Sequence, residues 1–169
     1  LFGICPQPAP GESPQALLTA RVAQRVAAPD RQRVAEFLGE LMSVPIGPEP
    51  SPRLRAARSD PKRLADEVSQ ALCDFLRAEC REAAVVIILE DLHWGDAPSV
   101  AILDTALKVL RDQPLLVLAL GRPELEERFP RLFRERDRQE IRLGGLSRRA
   151  SERLIQQVLG ADVTTATVE

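Results

Sequence analysis

Glu90 and Asp91 are adjacent carboxylates that follow directly on five branched apolar residues in the stretch VVIILEDLHWGD, Val85 to Asp96. Two acids side by side at the end of a buried strand repel one another and are poorly solvated. A cation, a water or an arginine must offset their charge. Such a pair suits magnesium binding or the orientation of an attacking water. The structural alternative is that Asp91 caps a turn and Glu90 pairs with a surface arginine. His93 is the single histidine of the chain, and with Glu90, Asp91 and Asp96 it can be drawn as a hydrolytic metal site. The spacing matches no zinc signature such as H-E-x-x-H, which argues against a dedicated zinc centre. Trp94, the single tryptophan, is expected to pack the loop onto the domain or a neighbouring segment. Asp96 is expected to cap the helix that Pro98 enters.

The elements around this stretch alternate between strand and helix. Val85 to Leu89 is a short, continuously apolar run of the kind buried on both faces of a parallel sheet. Pro98 or Ser99 then opens a helix with Leu103, Ala106, Leu107 and Leu110 on its inner side, and Pro114 closes it. LLVLAL, Leu115 to Leu120, supplies a second strand. Strand, helix, strand is a crossover unit, so the two strands should run parallel. A short helix is expected around Glu124 to Phe129, a short third strand at Glu140 to Leu143, and a capped helix from Ser147 to Leu159 that Gly160 stops.

Upstream, the first sixteen residues hold four prolines and two glycines and should be irregular. Gln15 to Met42 is helical in pattern but broken near Ala28-Pro29-Asp30, where Asp30 can cap the second piece. Four prolines make Val44 to Pro52 an exposed connection. A long helix follows from Asp60 or Pro61 to Arg81, with Leu64, Val68, Leu72, Phe75 and Leu76 as its apolar stripe. The fold class is therefore α/β.

At 169 residues, 44% hydrophobic and 28% charged, the chain can build one ordinary core. A formal net charge of −2 gives no reason to expect nucleic acid or an anionic membrane as partner. No apolar run reaches the about 18 residues of a membrane-spanning helix. The start, LFGICPQPAPGESP, does not read as a signal peptide, lacks an initiator methionine, and reads as a cut from a longer protein. Cys5, Cys73 and Cys80 form no C-x-x-C pair, so a reducing cytoplasm is expected, with Cys73 and Cys80 as core thiols on one helix face.

E-D-L-H-W-G-D-x-P-S after a strand, then A-L-G-R-P-E and R-L-G-G-L-S, resembles the AAA-type ATPase module of STAND signalling proteins. Such modules occur in LuxR-like transcription activators, some cyclases and large bacterial serine/threonine kinases. The resemblance runs from Glu67 to Gly160 and is most specific at ILEDLHWGD. It implies a partial P-loop NTPase-type parallel sheet flanked by helices, with the start of a helical lid. On that reading residues 1–60 are an insert-like region, 61–146 the ATPase core and 147–169 the lid's beginning. RVAEFLGELMSVPIGPEPSPRLRAARSDP also resembles an insert of the myxobacterial-type kinase branch.

By position, the resemblance makes Glu90 the magnesium-associated acid and Asp91 the acid that orients or activates the attacking water. An aspartate is more usual at the first place, so the division of roles between the two acids stays open. Arg122 falls where these ATPases place the arginine of their first sensor, beside the γ-phosphate. A salt bridge to Glu124 or Glu126 is its structural alternative. The implied cofactors are ATP and magnesium in the intact parent, and the implied partner is an attached output domain, with self-association as a further possibility. A scaffold that keeps the ATPase fold for protein–protein contact without turnover is the competing function.

The phosphate-holding half is missing. A phosphate loop reads G-x-x-x-x-G-K-[ST], but Lys62 follows Pro61 and Lys108 follows Leu107. In the family that loop lies upstream, together with the first strand of the sheet, so an exposed strand edge and poor solubility are expected. Each charge-assisted phosphate contact is worth about 1.5–3 kcal/mol, and bare carboxylates cannot replace it. The purified 169-residue chain should therefore neither bind ATP tightly nor hydrolyse it. Phosphate release that Asp91→Asn abolishes would refute this.

Overall fold

A computed structural model describes residues 13–159, which divide after Arg136 into two compact units. In the first, Pro14–Arg25 forms α1, Arg31–Met42 α2, Pro52–Arg58 α3 and Pro61–Cys80 α4. Val85–Leu89 (β1), Ala97–Val109 (α5), Leu115–Ala119 (β2) and Glu124–Arg128 (α6) follow. β1 and β2 pair in parallel, with Val85 opposite Leu115 and Leu89 opposite Ala119, as the crossover pattern requires.

The long helix α4 is the hub. Asp60 accepts hydrogen bonds from the backbone N–H groups of Lys62 and Arg63, and Pro61 occupies the first turn, where its missing N–H is harmless. Val68, Ala71, Leu72, Phe75 and Leu76 form a buried stripe, and α1, α2, α3, α5 and β1 all pack on this helix. The helices are also clipped by arginine forks. Arg21 Nε and Nη2 reach the two carboxylate oxygens of Glu79 at 2.5 and 2.7 Å, and Arg53 grips Glu67 in the same way at 3.0 and 2.8 Å. Arg33 joins Asp30 and Asp74, and Arg58 pairs with Glu40. A planar guanidinium makes such two-pronged contacts and an ammonium does not, which gives the arginine-rich composition a structural use. Cys73 and Cys80 lie buried and free in α4, and burial raises both thiol pKa values.

Several expectations are corrected. The helical start reaches back to Pro14, within the stretch read as irregular. α3 was not foreseen: Ser51 caps it by accepting from the Leu54 N–H, and Pro52 enters its first turn, so the last proline of the connection starts a helix. Asp30 stands before α2 but makes no side-chain cap, because its carboxylate is taken by Arg33. Gly39 lets the chain double back, since a Cβ there would meet the Val44 carbonyl oxygen at 2.5 Å.

The strands are not buried on both faces. Val85, Ile87, Leu89, Leu115, Val117 and Ala119 face the core, whereas Val86, Ile88, Leu116 and Leu118 are 46–60% exposed. α4 and α5 pack together over one face, and no described element covers the other. Each strand also has one edge without a described partner. In the second unit Glu140 to Leu143 is not a strand, and Ile141 and Leu143 are exposed. A strand needs a ladder partner for its backbone groups, and this segment has none among the described residues. Arg148–Leu159 forms α7, capped by Ser147 Oγ, which accepts from the Ala150 N–H at 3.3 Å. Gly160 lies outside the described residues, as do Cys5 and the proline-rich start.

Phe75, 1% exposed, should lose about 3–5 kcal/mol of stability on Phe75→Ala. Val86→Thr on the open face should shift stability by no more than about 0.5 kcal/mol. Urea unfolding midpoints measure both, and a large loss in Val86→Thr would show that this face is covered.

Candidate functional site

The parallel register decides what meets at the carboxyl ends of the strands. Leu120 N–H donates to the Leu89 carbonyl at 2.8 Å, and Leu92 N–H donates to the Leu120 carbonyl at 2.9 Å. These bonds carry the pairing past the ends of both strands, so Glu90–Asp91 and Gly121–Arg122 leave the sheet at the same end. Ligands in open parallel sheets sit beyond this same edge. The structure thus brings Glu90, Asp91 and Arg122 to one edge, and Arg122 is exposed there.

Neither bland role of the two acids takes hold. Asp91 precedes a 3-10 turn, Leu92–Trp94, but its side chain makes no capping hydrogen bond. Glu90 is exposed and pairs with no arginine among the described residues. Nor does Arg122 bridge to Glu124. Asp91 also has a left-handed backbone, with φ 51° and ψ 39°. That conformation is uncommon for a residue with a side chain, although aspartate tolerates it better than most, and such outliers gather at functional sites. It swings the chain sharply off the strand and leaves the Asp91 carboxylate 75% exposed.

His93 and Trp94 invert what their types suggest. The histidine side chain is only 6% exposed, and neither ring nitrogen has a hydrogen-bond partner. The nearest carboxylate oxygen is Asp91 Oδ1, 3.9 Å from Nδ1, beyond hydrogen-bond length. Trp94, expected to pack the loop down, is 75% exposed. Its ring leans on His93, with centroids 5.3 Å apart and planes at 43°. No described segment is in place to cover it. The sequence carried no sign of this exchange, because burial within a short turn depends on which neighbours the turn packs against. Here that neighbour is α6.

Asp96 behaves as expected. It caps α5 by accepting from the Ser99 N–H at 2.8 Å, and this backbone hydrogen bond lowers its pKa. Asp96 therefore belongs to the frame and takes no part with Glu90 and Asp91. The three acids and the histidine do not converge: among the described residues no three His, Cys, Asp or Glu side chains are grouped to hold a metal by themselves.

The site belongs to an α/β unit in which a two-stranded parallel sheet is flanked by helices. No protein-family model matches the chain, and no solved structure matches it. A 67-residue stretch is 33% identical to part of an uncharacterized protein of Rhizobium meliloti (strain 1021). The match covers 40% of this chain and 6% of that protein, so the chain spans a small part of its relative's length. No described helix is long and apolar enough to cross a membrane.

Asp96→Ala should destabilise the fold by about 0.5–2 kcal/mol, and Asp96→Asn by much less, because asparagine still caps. A lowered folded-state pKa contributes stability above the unfolded value, about 3.9, which is lost as pH falls through the folded value. The gap between wild type and Asp96→Ala in thermal unfolding should therefore narrow below about pH 4. A gap that widens in acid would contradict the assignment.

Proposed function

We propose that this chain carries the magnesium-facing and γ-phosphate-facing half of an ATP-dependent signalling switch of the STAND, AAA-type class, built on a P-loop NTPase-type sheet. The observation that carries the reading is a set of three charges at one sheet edge: Glu90 and Asp91 without an arginine and Arg122 without a carboxylate among the described residues. A fold that used them only for stability would pair them, as it pairs Glu40, Glu67, Asp74 and Glu79.

The donor set suits magnesium held together with a nucleotide. Magnesium keeps several waters and takes one or two carboxylates plus phosphate oxygens, so two acids without a third ligand fit it better than a transition metal. When bound, magnesium with ATP supplies charge neutralisation at the transferring phosphoryl group. Glu90 would hold the ion, Asp91 would orient a water and accept its proton, and Arg122 would donate to the γ-phosphate oxygens. The phosphate cradle would come from another part of the parent protein, and α7 would begin the lid whose closure signals to an attached output domain in the cytoplasm.

One observation favours the second reading, a scaffold without turnover. The open apolar face of Val86, Ile88, Leu116 and Leu118 is the kind of surface that binds protein.

The two readings separate in the parent protein. A G-x-x-x-x-G-K-[ST] loop should lie within about a hundred residues upstream of Leu1, the scale of one domain. A protein spanning that loop should hydrolyse ATP with magnesium, and Asp91→Asn should lower kcat by about 10²- to 10⁴-fold while nucleotide binding persists. Unchanged turnover in Asp91→Asn would sink the ATPase assignment, and absence of the loop would favour the scaffold.

A further inference from the structure

His93 is a buried group that the proposed chemistry leaves unused. An imidazole with both nitrogens shielded and unbonded forgoes the hydrogen bonds it had in water, a loss of about 1–3 kcal/mol, and such a group in a fold calls for a reason. Packing alone is a poor one, since leucine or phenylalanine would fill the space without that loss. The missing partner is close. Asp91 Oδ1 is 3.9 Å from Nδ1, and the carboxylate has no other side-chain partner among the described residues. Because it is 75% exposed, rotation about its own side-chain bonds is unhindered by packing.

The two residues differ in freedom, and that difference sets their roles. His93 is held by burial, by the 3-10 turn and by the Trp94 ring, whereas the Asp91 side chain is 75% exposed and only its left-handed backbone is set. A fixed donor beside a free carboxylate can select one orientation of it.

We infer that His93 is a positioning residue: its Nδ1–H donates to the Asp91 carboxylate when that group turns inward, fixing which oxygen faces the edge shared with Arg122. The inference rests on the reading of Asp91 as the water-orienting acid. The imidazole–carboxylate hydrogen bond requires no nucleotide and is measured without it. One hydrogen bond on Nδ1 determines the tautomer, so the proton resides on Nδ1 and Nε2 is bare.

The chain has one histidine, so its imidazole nitrogens can be read without assignment ambiguity in the ¹⁵N-labelled 169-residue protein at a single neutral pH. Long-range proton–nitrogen correlations should show the Nδ1-protonated tautomer, which free imidazole disfavours. Asp91→Gly removes the carboxylate while accepting φ 51° without strain, and should return the ring to the Nε2-protonated form. Glu90→Gln should leave the tautomer as in wild type. His93→Asn, whose amide N–H lies near the place of Nδ1–H, should keep the Asp91 carboxyl carbon resonance close to its wild-type position, and His93→Leu should shift it. An Nε2-protonated or averaging ring in wild type overturns the inference. So does a tautomer indifferent to Asp91→Gly, or one that responds equally to Glu90→Gln. An Asp91 resonance that His93→Asn and His93→Leu move alike overturns it as well. None of these outcomes bears on whether the parent hydrolyses ATP, which the kinetic test of Asp91→Asn decides.

Discussion

Two strands that run parallel cannot be joined by a turn; the chain must cross back over the sheet before the second begins. Everything at the candidate site depends on that constraint. The crossover α5 occupies one face of the pair β1–β2, and both strands end at the same edge. Residues 31 positions apart in sequence, Asp91 and Arg122, lie at the same end of the sheet for that reason alone. Had the strands been antiparallel, the acids and the arginine would stand at opposite ends of the sheet.

The frame that holds this pair is helical. α4 packs against β1 and α5 and also gathers α1, α2 and α3, so the upstream helices share one hydrophobic core with the sheet. Arginine forks on Glu79 and Glu67 and the Arg33–Asp74 ion pair tie those helices together around the apolar stripe. Partly exposed ion pairs contribute little each, about 0–1 kcal/mol, so the stripe remains the main source of stability and the forks set orientation. The contrast with the site is informative. Glu40, Glu67, Asp74 and Glu79 of the frame have arginines, while Glu90 and Asp91, with arginines abundant in the chain, have none among the described residues.

Much of the frame was legible in the sequence. Asp60-Pro61 marks the start of α4, Asp96 that of α5 and Ser147 that of α7, because capping chemistry is local and needs only the backbone a few residues ahead. The strands β1 and β2 followed from their apolar runs and the length of the helix between them. The failures had both distant and local causes. Glu140 to Leu143 has the composition of a strand and no ladder to join. Asp30 has the right type and place for a cap but is claimed by Arg33. Ser51-Pro52 opens a helix where proline density suggested only a connection.

At the site, the sequence by itself determined the chemistry available: two adjacent acids after an apolar run, one histidine, one arginine after the next strand, and no phosphate loop. These are facts of residue type and order. Only the tertiary structure decided their states. Register set Arg122 at the same sheet end as the acids, the left-handed turn at Asp91 left its carboxylate in solvent, and in the 3-10 turn, on which α6 packs, His93 is buried while Trp94 stays out. Burial and pairing are properties of neighbours brought together from far along the chain. No local pattern encodes them, so VVIILEDLHWGD named the acids but could not say which of its side chains would be free.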